Sequence, residues 1–80
     1  MNKRVYAVLI NHGWGVMRRL MSDEFVTMLK SYNGAAVLSG YDQTKYIACI
    51  VFEHRDSRDE FAEALRRRGF VFITRDDALI

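Results

Sequence analysis

The side chains able to do chemistry in this chain are few and stand apart. Cys49 is the single cysteine, and it lies inside the apolar run Lys45–Glu53. A reactive thiolate needs a neighbouring base, a cation or a helix N-terminus, and no such group is local. Cys49 therefore reads as a small buried hydrophobe. One unpaired cysteine fits a reducing, cytoplasmic setting. His12 and His54 close the first and third apolar runs without a cysteine or carboxylate at ligand spacing. No metal and no cofactor is expected from them. The strands that carry them are read as parallel neighbours, which would put both imidazoles at one edge of the sheet. Asn11 ends the first run, where metal-assisted phosphodiester cleavage would want a carboxylate. No catalytic residue is assigned, and the chain is read as non-enzymatic.

The segment Asn11-His12-Gly13-Trp14-Gly15-Val16-Met17-Arg18-Arg19 concentrates the remaining candidates. Glycines on both sides of a tryptophan allow a tight turn between strand and helix, a geometry that can hold an anion at the helix start. Trp and Arg also dominate the energetics of protein interfaces, so His12, Trp14, Arg18 and Arg19 are candidate partner-binding residues. The purely structural alternative has Trp14 closing one end of the core. The segment resembles the acylphosphatase loop, which would imply backbone amides and an arginine on a phosphate. The interval between Gly13 and Gly15 is shorter than that loop's, and no asparagine stands in the 42–44 turn.

The elements that would position these residues follow a simple order. Apolar runs at Arg4–Ile10, Ala35–Tyr41, Lys45–Glu53 and Phe70–Thr74 read as strands. Met17–Tyr32 and Ser57–Arg68 carry apolar residues at helical spacing. In the first helix, Ser22-Asp23-Glu24 offers an internal N-cap, so residues 16–21 read equally as a separate turn. In the second, Ser57 and Glu60 form a capping box and Gly69 a terminating glycine. Asn33-Gly34 ends the first helix, and Asp42-Gln43-Thr44 is a three-residue hairpin loop. The order βαββαβ is the split βαβ, ferredoxin-like pattern. It predicts an α+β two-layer sandwich, with a four-stranded antiparallel sheet of order 4-1-3-2 and two helices on one face.

At 80 residues, 50% hydrophobic and 12% aromatic with no proline, the chain reads as one folded domain over residues 1–80. No run approaches the ~18 apolar residues of a membrane span. The basic start followed by Val5–Ile10 is too short an apolar stretch for a secretory signal. Twelve basic and ten acidic residues leave a net charge of +2, too mild to identify a nucleic-acid binder. Arg66, Arg67 and Arg68 close the second helix and suit its dipole.

Splitting the strands by alternation yields two apolar faces. Val5, Ala7, Leu9, Ile47, Cys49 and Val51 are small and are assigned to the face beneath the helices. Tyr6, Val8, Ile10, Tyr41, Tyr46, Ile50, Phe52 and Phe72 fall on the other face. A helix-free face this apolar marks an interaction surface. Tyr6, Val8, Tyr41, Tyr46, Ile50, Phe52 and Phe72 are accordingly expected to meet a second copy of the chain or a heterologous protein.

The strand Lys45-Tyr46-Ile47-Ala48-Cys49-Ile50-Val51-Phe52 also resembles the third-strand motif of RNA-recognition-motif domains, and Arg4-Val5-Tyr6-Ala7-Val8-Leu9 resembles the first-strand motif. That resemblance implies single-stranded RNA as an alternative ligand. Tyr6 and Tyr46 would stack on bases, and Lys3, Arg4 and Lys45 would meet phosphates. The motif's glycine after the basic residue is missing, and Ala48 or Cys49 replaces its middle aromatic. The expected function is a small cytoplasmic binding or regulatory module, bacterial or phage-encoded, that acts through protein contacts.

Overall fold

A computed structural model describes residues 4–79. The elements are β1 (Arg4–Asn11), α1 (Val16–Leu20), α2 (Asp23–Ser31), β2 (Ala35–Val37), β3 (Tyr46–Phe52), α3 (Arg55–Arg67) and β4 (Phe72–Leu79). The fold is α+β, with one antiparallel sheet of order β2-β3-β1-β4. Among the described residues there are three helices rather than two, because the expected first helix divides. Ser22 breaks it. The Phe25 N–H donates to Ser22 Oγ at 3.2 Å, and Ser22 Oγ donates to the Arg19 carbonyl at 2.7 Å. One serine thus ends α1 and caps α2.

Several boundaries differ from the sequence reading. The second long helix starts two residues early, at Arg55, with His54 rather than Ser57 at the N-cap position and no side-chain cap bond. β2 keeps only three residues, and residues 38–45 form the connection to β3. The three-residue loop expected at 42–44 is the tip of that longer connection. Asp42 Oδ1 accepts from the Thr44 N–H at 3.0 Å, and the Asp42 carbonyl accepts from the Lys45 and Tyr46 N–H groups. β4 starts two residues late but runs on through Arg75-Asp76-Asp77. Gly69, at φ 80°, turns the chain out of α3 as expected.

The two faces of the sheet are exchanged relative to the sequence reading. Phe25 and Met28 of α2, with Phe61, Ala62, Ala64 and Leu65 of α3, pack onto Val8, Ile10, Ile50 and Phe52. Phe61 centres this core, edge-on to Phe25 and Tyr32 and 5.1 Å from the ring of Phe52. The smaller parity, Val5, Ala7, Leu9, Cys49 and Val51, faces away from the helices and forms a second cluster with Tyr46, Val37 and Tyr41. Volume explains the exchange. Two helices standing over a sheet leave a deep space that large aromatic and branched side chains fill, as close packing demands.

A bulge then re-sorts the start of β3. Ile10 pairs with Ala48 but Asn11 pairs with Tyr46, so Ile47 is skipped. Ile47 turns partly into the helix-covered core, and Tyr46 joins the opposite cluster.

One polar group is built into the helical side. Arg58 of α3 is only 4% exposed. Its guanidinium donates to Asp59 Oδ1 at 2.7 Å, Asp76 Oδ1 at 2.7 Å and the Arg75 carbonyl at 2.9 Å. Arg55 reaches the other Asp76 oxygen at 3.5 Å, and both arginines lie over the Tyr6 ring. Every donor direction that matters is met, which is what a buried charge requires. This clasp ties α3 to β4.

Candidate docking surface

The turn between β1 and α2 holds the largest exposed apolar side chains near a cation. Asn11 is anchored, its N–H donating to the Val71 carbonyl at 2.9 Å. The His12 N–H donates to the Lys45 carbonyl, and His12 Nε2 bonds the Gln43 carbonyl at 2.9 Å. His12 therefore fastens the turn to the 38–45 connection. Gly15 adopts φ 73°, which a side chain would resist, and releases the chain into α1. This helix has no buried residue. Trp14 is 102% exposed, Met21 74% and Met17 55%. The expectation that Trp14 closes the core is overturned: the core stops at Val16 and Leu20, which pack against it from α1.

The two arginines of α1 differ in role. Arg19 is structural. Its guanidinium lies 4.1 Å over the Phe70 ring and donates to the Arg68 carbonyl at the end of α3. Arg68 in turn bonds Glu24 Oε1 at 3.0 Å and the Ala64 carbonyl at 3.1 Å. Arg18 makes no hydrogen bond or ion pair with any described residue. Beneath these side chains runs a groove of about 440 Å³, floored by Phe25, Met28 and Phe70 and rimmed by Arg18, Arg19 and Arg68.

The sheet-face candidates do not form one surface. Val8, Ile50 and Phe52 are fully enclosed beneath the helices, and Phe72 packs partly against the same core. Tyr6 is on that side too, under Arg55 and Arg58. Of the seven, only Tyr41 and Tyr46 reach the helix-free face, and Tyr46 is buried there. Tyr41 donates to the Ile47 carbonyl at 3.5 Å. The helix-free cluster is shut within the single chain, so the large exposed apolar face expected from alternation is missing among the described residues.

Tyr6 and Tyr46 lie on opposite faces, so they cannot stack bases on a common platform. Lys45 is exposed at the base of β3 and Arg4 is exposed at the start of β1, at opposite ends of the β1–β3 pair. Lys3 lies outside the described residues. His12 and His54 are likewise at opposite ends, because β1 and β3 run antiparallel and not parallel as expected. Among the described residues no group of three His, Cys, Asp or Glu side chains could hold a metal ion. Burial pushes the Cys49 thiol up from its ordinary value, against a smaller opposing pull from Arg75. No helix of the described residues is long and apolar enough to cross a membrane.

This exposed segment, Trp14 to Met21, was legible in part. Glycines around a tryptophan marked Trp14, but Met17 and Met21 looked like helical core because their spacing is helical. No family model matches this chain, nor does any curated protein or solved structure.

Proposed function

We propose that this chain is a non-enzymatic protein-binding module on a ferredoxin-like scaffold, docking through the arm from Trp14 to Met21. The sheet order, read from the other edge as β4-β1-β3-β2, supports that scaffold. The observation that carries the docking reading is the exposure of Trp14, Met17 and Met21 together, on and beside a short helix whose contact with the core is made by Val16 and Leu20 instead. Leaving such side chains in water forgoes about 1.5–3 kcal/mol each relative to burial. They pack against nothing that would explain their presence in a small domain. The hydrogen bonds of His12 and the packing of Val16 and Leu20 on the core hold the arm in place, which lowers the cost of ordering it on binding. Met adds a flexible, adaptable contact and Trp a rigid one.

The non-enzymatic reading is supported by the state of the reactive groups. Cys49 is buried and its thiolate disfavoured, and His12 is engaged in holding the turn.

A photo-crosslinking side chain placed at position 14 in cells expressing the protein tests the proposal. The result expected is one discrete protein adduct, absent when Leu38, which is also strongly exposed, carries the crosslinker instead, and abolished by Met21→Glu. No adduct at position 14, or one that nuclease removes, would overturn it. An adduct of two copies of the chain would identify the homodimer as the assembly.

A further inference from the structure

The arm and the groove beside it share Arg18 and Arg19. Building on the docking reading above, we infer that the partner presents an acidic segment, with carboxylates interspersed among apolar side chains. The argument is charge complementarity. Around the two hollows stand Arg18, Arg19 and Arg68, and among the described residues the only carboxylate lining either is Glu24. Glu24 is already committed to Arg68 at 3.0 Å. Arg19 is committed to Phe70 and the end of α3. Arg18 alone keeps its full set of donors, and it sits between the exposed methionines and the groove with Phe25, Met28 and Phe70 at its floor.

An anion that meets Arg18 thus arrives beside apolar surface on both sides. A guanidinium matches a carboxylate with two parallel hydrogen bonds. The flanking surface asks for side chains such as Leu, Phe or Tyr one or two positions away on the partner.

Other occupants fit less well. A second copy bound through the same patch would bring two sets of Arg18, Arg19 and Arg68 together, since a two-fold contact pairs the patch with itself. Its only carboxylate at the hollows would be held by its own Arg68. Single-stranded nucleic acid wants successive stacking rings along a basic track, and among the described residues Trp14 is the only aromatic lining the outer hollow. A membrane-surface element needs a far longer apolar face than this five-residue helix provides.

The test uses the full chain and four probes: a random Glu/Tyr copolymer, poly-Glu, a Lys/Tyr copolymer and a single-stranded RNA oligomer, each in 50 mM and 300 mM salt. The Glu/Tyr copolymer should bind at least tenfold tighter than poly-Glu and Lys/Tyr. Trp14→Ala and Arg18→Glu should each weaken it about tenfold. Both positions are exposed, and unchanged melting temperatures would show that the variants fold. Loss on Trp14→Ala but not on Arg18→Glu would overturn the acidic partner and leave the docking arm standing. Insensitivity to both would remove both readings. Tighter binding of RNA than of the Glu/Tyr copolymer would replace the proposal with a nucleic-acid surface.

Discussion

Gly34→Ala tests which face of the sheet lies beneath the helices. A Cβ built on Gly34 would stand 2.6 Å from Leu29 Cδ1, 2.8 Å from Phe52 Cε2 and 2.9 Å from Phe52 Cζ. Carbon atoms rest at about 3.5–4.0 Å, so all three contacts are too close by nearly an ångström. Leu29 is only partly buried and its methyl can rotate away. Phe52 cannot: it is 1% exposed and wedged 5.1 Å from the Phe61 ring. Overpacking of this kind costs about 1–3 kcal/mol. The stiffer unfolded chain of an alanine variant returns roughly 0.4–1 kcal/mol. The net expectation is a loss of about 1–2 kcal/mol. In a domain of this size that is a fall in melting temperature of roughly 4–16 °C, at about 4–8 °C per kcal/mol. Thermal and urea unfolding of four proteins would measure it: wild type, Gly34→Ala, Phe52→Leu and the double variant. With the ring removed, the added methyl has room, so the cost of Gly34→Ala should shrink below about 0.5 kcal/mol in the Phe52→Leu background. An equal cost in both backgrounds, or no cost at all, would refute the placement of Phe52 under the helices.

Two further outcomes follow from the charged and thiol groups. Hydrogen bonding from Arg58, aided by the charges of Arg58 and Arg55, holds the Asp76 carboxyl below its ordinary value. A carboxyl depressed on folding contributes stability above its unfolded value of about 3.9, and this is lost as pH falls through the folded value. Asp76→Asn should therefore lower stability at pH 6 and flatten the loss between pH 4 and 2, as followed by urea unfolding; an unchanged acid profile would exclude the clasp as its source. For Cys49, burial shields the sulfur and raises the thiol, so a thiol reagent at pH 8 should label it only through opening of the cluster, far more slowly than a free thiol. Labelling as fast as a free thiol would show that the helix-free cluster is open.

Much of the fold was readable in the chain. The alternation of apolar runs and helical spacing set the element order, and Ser22, Asn33-Gly34 and Gly69 marked helix ends through local chemistry. These signals act within a few residues, so they survive without tertiary context. The capping box at Ser57 failed because its rule is also local, while the helix begins at Arg55 and its first turn is tied to β4 through Arg55 and Arg58 on Asp76. β4 extends through charged residues for the same long-range reason: the Asp76 charge is met by α3 and does not repel the sheet. The candidate site was readable at Trp14 and Arg18 but not at Met17 and Met21, because spacing cannot tell an apolar helix face that meets a core from one that meets water.

Residue alternation alone establishes that two apolar parities run along the strands, since it is a property of the extended backbone. It could not say which parity the helices cover, because both are apolar. Tertiary packing decided that: the large residues Phe52, Ile50, Val8 and Ile10 fill the deep space under α2 and α3, and the small ones close the thin side. The skipped residue at Ile47 then carried Tyr46 across to that thin side. A bulge of one residue reverses every side chain beyond it, and only the pairing with β1 reveals where it falls.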